Sequence, residues 1–160
     1  MTSDVDPSER AETEQERLNR QLDQLLNELR VAMPGVQVLF AFLLTVPFQE
    51  RFAEATSLQR DVYFATLLAS AAASALFIAP TAYHRLMFQA GDKRRLVAIS
   101  SRLAVAGLVC LAVAMNGAVL LVTDVLFDGT TAAITTAATS ALFVGLWFAL
   151  GLVRRATGER

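Results

Sequence analysis

The sequence has one cysteine, one histidine, one lysine, four prolines and eight glycines in 160 residues. Several of these shortages exclude a class of function. A single cysteine, Cys110, cannot close an internal disulfide, so this is not a disulfide-stapled secreted module. A single histidine, His84, with no carboxylates or thiols at ligand spacing makes no recognisable metal site. There is no basic excess, with 14 Lys+Arg against 15 Asp+Glu, which argues against a nucleic-acid partner. GxSxG, Walker, dinucleotide-fold, HExxH and paired-cysteine motifs are all missing. No catalytic residue, metal ligand or cofactor is therefore expected, and the chain is expected not to be an enzyme. Charged residues make up only 18% and hydrophobic ones 54%, the reverse of a disordered composition.

What is present is four long blocks without Asp, Glu, Lys or Arg: residues 31–48, 62–83, 103–122 and 130–153. A helix rises about 1.5 Å per residue and the hydrocarbon core is about 30 Å thick, so about 20 residues cross it. None of the blocks shows the polar face of a soluble helix or the alternation of a barrel strand. The expected fold is all-α, a four-helix transmembrane bundle. Twelve of the fourteen basic residues lie in the N-terminal arm, the loop 84–102 and the C-terminal tail. Basic residues stay on the cytoplasmic side, so both termini are expected inside a multi-pass protein of the plasma membrane. The first and third loops then face outward. The acidic start carries no cleavable signal pattern, and the first span is expected to act as an uncleaved insertion signal.

Ahead of the first span, residues 1–8 are expected to form a disordered tail and residues 9–30 an amphipathic cytoplasmic helix. Leu18, Leu22, Leu25 and Leu29 recur at spacings of 4, 3 and 4, one apolar stripe. Two roles fit it: a cytoplasmic helix resting on the membrane surface or on the loop and leading into the first span, or a short coiled coil pairing two protomers. Residues 154–160 are expected to form a short cytoplasmic tail.

In lipid, helices associate where small residues let backbones approach. Ala106, Cys110, Ala114 and Ala118 make one such ridge on the third span. Ala133, Ala137, Ala141, Gly145 and Ala149 make another on the fourth. These two helices are expected to pack through them, with Asn116 hydrogen-bonded to Thr135, Thr136 or Thr139 at the same depth. On the cytoplasmic side, Arg30 and Gln37 of the first span are expected to meet Tyr83, His84 and Arg85 of the second and Arg102 of the third. That cluster is either an interfacial anchor or a basic pocket for an anionic lipid. Pro34-Gly35 marks the start of the first span, Pro47 its end, and Pro80 a kink in the second. Gly91-Asp92 ends one helix and caps the next.

Two stretches resemble a known family. The first runs from Glu28-Leu29-Arg30-Val31 through Pro34-Gly35-Val36-Gln37-Val38-Leu39-Phe40 to Pro47-Phe48 and Arg51-Phe52. The second is Ile78-Ala79-Pro80-Thr81-Ala82-Tyr83-His84-Arg85, followed by Phe88 and Gly91-Asp92-Lys93. Over roughly residues 18–155 the chain resembles a family of small four-span membrane proteins of unknown function from high-GC Gram-positive bacteria. The resemblance implies a four-span membrane domain and brings no established activity. The expected role is a structural, regulatory or interaction subunit whose partners are membrane lipids, a second copy of the chain or another membrane protein. The alternative is a small transporter or channel, cation/proton antiporter-like, acting as an oligomer. Against it stands the lack of an ionisable group inside any span.

Overall fold

The computed structural model describes residues 7–87 and 93–149, with side chains described for 16–83 and 95–147. The described residues form α1 (Pro7–Thr45), two 3₁₀ turns (Val46–Phe48 and Glu50–Glu54), α2 (Ser57–Met87), α3 (Lys93–Leu126) and α4 (Gly129–Phe143), which runs on into a π-helical turn (Val144–Ala149). The expected tail 154–160, the end of the fourth span beyond residue 149, the stop at Gly91-Asp92 and the first six residues lie outside the described residues.

The N-terminal arm is not a separate helix. α1 runs unbroken for 39 residues, about 58 Å at 1.5 Å per residue, from Pro7 through the arm and past Pro34. Pro7 suits the first helical turn, where its missing N–H has no helix partner to lose. The leucine stripe does not stop at Leu29. Leu22, Leu29, Val36 and Leu43 are buried at seven-residue intervals, with Leu18, Leu25, Ala32 and Leu39 half-buried between them. Leu29 and Val36 share a core with Ala73 and Phe77 of α2, flanked by Ala104, Leu108 and Leu111 of α3. Leu25 and Leu29 of the stripe thus pack within their own chain, against α2 and α3. A seven-residue repeat is the period of helices that wrap one another. Pro34 sits on the exposed side, where its ring does not interrupt this seam.

α1 ends where Pro47 removes a donor. The Leu43 carbonyl would accept from residue 47, and proline has no N–H. The buried Tyr63 hydroxyl of α2 donates to that carbonyl instead, at 3.0 Å. Phe52 packs edge-on to the Tyr63 ring, with centroids 5.1 Å apart. Tyr63→Phe leaves the carbonyl unsatisfied and should destabilise the fold by about 1–3 kcal/mol, read as an earlier thermal unfolding midpoint in detergent with unchanged helix content. The next helix opens on a capping box. Thr56 Oγ1 accepts from the Gln59 N–H at 3.2 Å, and Gln59 Oε1 accepts from the Thr56 N–H at 3.0 Å.

α2 and α3 form the most extensive pair, antiparallel and in close contact. Gln59 Nε2 donates to Asp124 Oδ2 at 2.8 Å, Thr66 lies against Gly117, and Phe77 lies against Gly107. Residue numbers in these three pairs have nearly the same sum, which defines one continuous register. A Cβ placed on Gly107 would lie 2.5 Å from Phe77 Cε1, and one on Gly117 would collide with Thr66 Oγ1. Glycine is required at both points because a neighbouring side chain occupies the space.

Among the described residues α4 packs on α3 and on neither α1 nor α2. It opens with Asp128, which accepts the Thr131 N–H at 3.4 Å and also bonds the Thr131 hydroxyl. The Thr131 hydroxyl, more than any other contact, holds the Asp128 carboxyl below its ordinary value. Large apolar side chains face outward along all four helices, among them Phe42, Phe64, Leu68, Val113, Ile134 and Leu142. A surface of this kind suits hydrocarbon rather than water.

Candidate functional site

The small-residue ridges do not join α3 to α4. On α4, Ala133, Ala137 and Ala141 are exposed, as is Ala106 on α3. Ala114 is fully buried and Ala118 half-buried, while Cys110 packs against the core shared with α1 and α2. The glycines explain the difference. Gly107 and Gly117 draw α2 onto α3, so α3 spends part of its small-residue surface on that contact. The ridge on α4 is also interrupted, because the π-helical turn from Val144 widens the helix before Gly145 and Ala149. Gly145 is half-buried, and a Cβ there would meet nothing within 4 Å.

α4 is instead held by polar side chains. Asn116 Oδ1 accepts from Thr139 Oγ1 and from Ser140 Oγ, both at 3.0 Å. Asn116 Nδ2 donates to the Ala112 carbonyl at 2.9 Å. Of the three threonines the sequence offered to Asn116, Thr139 makes the bond, and Ser140, which sequence reasoning missed, adds a second. Ser140 follows Thr139 directly and could have been found from the depth match alone. The Thr135 hydroxyl donates back to the Thr131 carbonyl, while the single hydroxyl hydrogens of Thr139 and Ser140 are shared between Asn116 and the carbonyls of Thr135 and Thr136 on their own helix. Thr136 does neither: its buried hydroxyl oxygen has no hydrogen-bond partner.

Beside this cluster a groove of about 480 Å³ runs between α2, α3 and α4. Val62, Ala65 and Thr66 form one wall, Asn116 and Gly117 lie on its floor, and Thr136, Ser140, Phe143 and Val144 form the other wall. It exists because α4 leans on α3 alone and leaves a cleft against α2. The lining is mostly apolar, with Thr66, Asn116, Thr136 and Ser140 as its polar residues. Ligand clefts in proteins are in general mostly apolar with a few polar groups. Nearby, the Phe143 and Trp147 rings meet at a tilt of 51° with centroids 5.0 Å apart, across the start of the π-helical turn.

The cytoplasmic cluster expected from the sequence divides by depth. The Leu43–Tyr63 bond fixes the register of α1 on α2 and puts Arg30 level with residue 76 of α2 and Gln37 level with residue 69. The α2–α3 register puts Arg102 level with residue 82. Arg102 and Tyr83 therefore share a level, whereas Arg30 lies about two turns deeper and Gln37 deeper still. Arg30, Gln37 and Arg102 are exposed, and Tyr83 is half-buried. Among the described residues no hydrogen bond joins these four to one another. The side chains of His84 and Arg85 lie outside the described residues. The mismatch arises because the α1 seam continues below Leu29, so the end of α2 pairs with the arm rather than with the first residues of the apolar block. No group of three or more His, Cys, Asp or Glu side chains able to hold a metal is found among the described residues.

The fold thus defines a class: an all-α bundle of four helices, each long and apolar enough to cross a bilayer. The chain belongs to a family of unknown function, DUF6328, which it matches over residues 11–151. No curated protein and no solved structure matches it.

Proposed function

We propose that the chain is a non-enzymatic integral protein of the plasma membrane that binds lipid, with both termini in the cytoplasm. The observation that carries this reading is the groove beside Asn116, apolar along its length and open toward the surface that would face lipid. Its polar groups lie about six residues, or about 9 Å, inside the nearer end of the third apolar block. A chain lying in it would be held by packing against Val62, Val109 and Val113, with its single acceptor group turned to Asn116. The orientation is supported by the clustering of basic residues in the arm, the middle loop and the tail. The same bases, Arg85 and Arg102 among them, suit anionic headgroups at the inner surface.

The test is native mass spectrometry of the protein extracted from its own membrane. The wild-type protein should retain a lipid that Ala65→Phe, which fills the groove from an exposed position on α2, loses at least tenfold. Asn116→Leu should lower retention of carbonyl-bearing lipids more than that of plain hydrocarbon chains. Equal lipid retention by wild type and Ala65→Phe would remove the proposal.

A further inference from the structure

α1 carries a second seam on its outer side. Arg30, Pro34, Gln37, Ala41 and Leu44 recur at spacings of 4, 3, 4 and 3, and all five are exposed. The buried seam uses Leu29, Val36 and Leu43, so the two lie on different faces of one helix. The outer seam is not uniformly apolar. Gln37 is level with residue 69 of α2, about 10 Å from the nearer end of the apolar block 62–83 and farther from the other. An amide exposed at that depth has no water to bond. Among the described residues nothing in its own chain bonds it.

We infer that this face pairs two copies of the chain about a two-fold axis along the membrane normal, with Gln37 meeting its mate at the centre. Copies inserted in the same direction are parallel, so identical positions face each other across such an axis. A carboxamide suits this geometry because it is both donor and acceptor and can bond its own image. Spacings of 3 and 4 are those of helices that pack side by side, and one polar residue within such a seam fixes register and number of strands. The neighbours permit the approach. Ala41, one turn from Gln37 on the same face, is small and exposed. Arg30 ends the seam on the cytoplasmic side, where its long stem carries the guanidinium toward the headgroups. A hydrocarbon neighbour satisfies none of this chemistry, and a second copy does.

The experiment uses the full chain with Cys110→Ala, reconstituted in phosphatidylethanolamine and phosphatidylglycerol vesicles. Single cysteines placed at residues 30, 31, 34, 37, 38 and 41 are oxidised in the membrane. Cross-linked dimer should peak at 34, 37 and 41 and fall at least fivefold at 31 and 38. Single-molecule photobleaching over a range of protein-to-lipid ratios should give a dimer midpoint that Gln37→Leu raises about tenfold and Gln37→Asn leaves nearly unchanged. Thermal melting of each variant separates loss of pairing from loss of fold. Uniform cross-linking, a midpoint indifferent to Gln37→Leu, or a wild-type chain that stays monomeric at every ratio would each overturn the inference. So would a cross-link at residue 37 that joins a different membrane protein when the experiment is run in native membranes.

Discussion

Gly117→Leu should abolish stable folding. The position faces Thr66 so closely that a single added carbon cannot fit beside its hydroxyl, and Thr66 Cβ would be only 3.1 Å away. Thr66 is itself buried and bonded to the Val62 carbonyl at 2.6 Å, so it cannot turn aside without losing that bond. Overpacking a site able to relax costs about 1–3 kcal/mol. Here α2 and α3 must separate, and the Gln59–Asp124 bond one end of the register makes is strained with them. The expected result is aggregation or loss of a cooperative melt in detergent, while Gly129→Ala, where a Cβ meets nothing within 4 Å, should melt like the wild type. Normal unfolding of Gly117→Leu would show that α2 and α3 are farther apart than described.

Phe77→Ala should come next in size. Its side chain is fully buried where α1, α2 and α3 meet, against Leu29 and Val36 on one side and the notch of Gly107 on the other. Burial from lipid gains little, so the loss is mainly of close contacts, and we expect about 2–3 kcal/mol. Steric-trap or thermal measurements in micelles would read it. Phe77→Leu should recover more than half, because most of the volume returns. If Phe77→Ala and Phe64→Ala, the latter on an exposed position, cost the same, the shared core assigned to Phe77 is wrong.

The helix count and the apolar segments were plain in the sequence, because a run of 18 or more residues without charge has few structural outcomes. Asn116 was legible for the same reason: one amide in a long apolar block invites a partner at its own depth. The joining of the arm to the first span was hidden by Pro34-Gly35, a pair that ordinarily marks a boundary. The seven-residue repeat from Leu22 to Leu43 passes on the other side of the helix and was cut in two by that reading. The alanine ridges misled because spacing along one helix does not say which neighbour fills the adjacent notch. Gly107 and Gly117 gave the better signal, since each admits a specific bulky or branched partner. The groove could not be read from sequence at all. It depends on α4 touching one helix rather than two, which is a property of the assembled bundle. The division of Arg30 from Tyr83 by depth likewise needed the Tyr63 bond to Leu43, whose reason is a proline four residues further on.

That α4 rests on a single neighbour has a mechanical consequence. Drawn from its C-terminal end out of a bilayer, the chain would yield first where the Thr139 and Ser140 hydroxyls meet the Asn116 carboxamide, and the remaining three helices would stay interlocked until a higher force. The last described helix is fastened along one side only, and the cleft beside it is the gap that α4 leaves against α2.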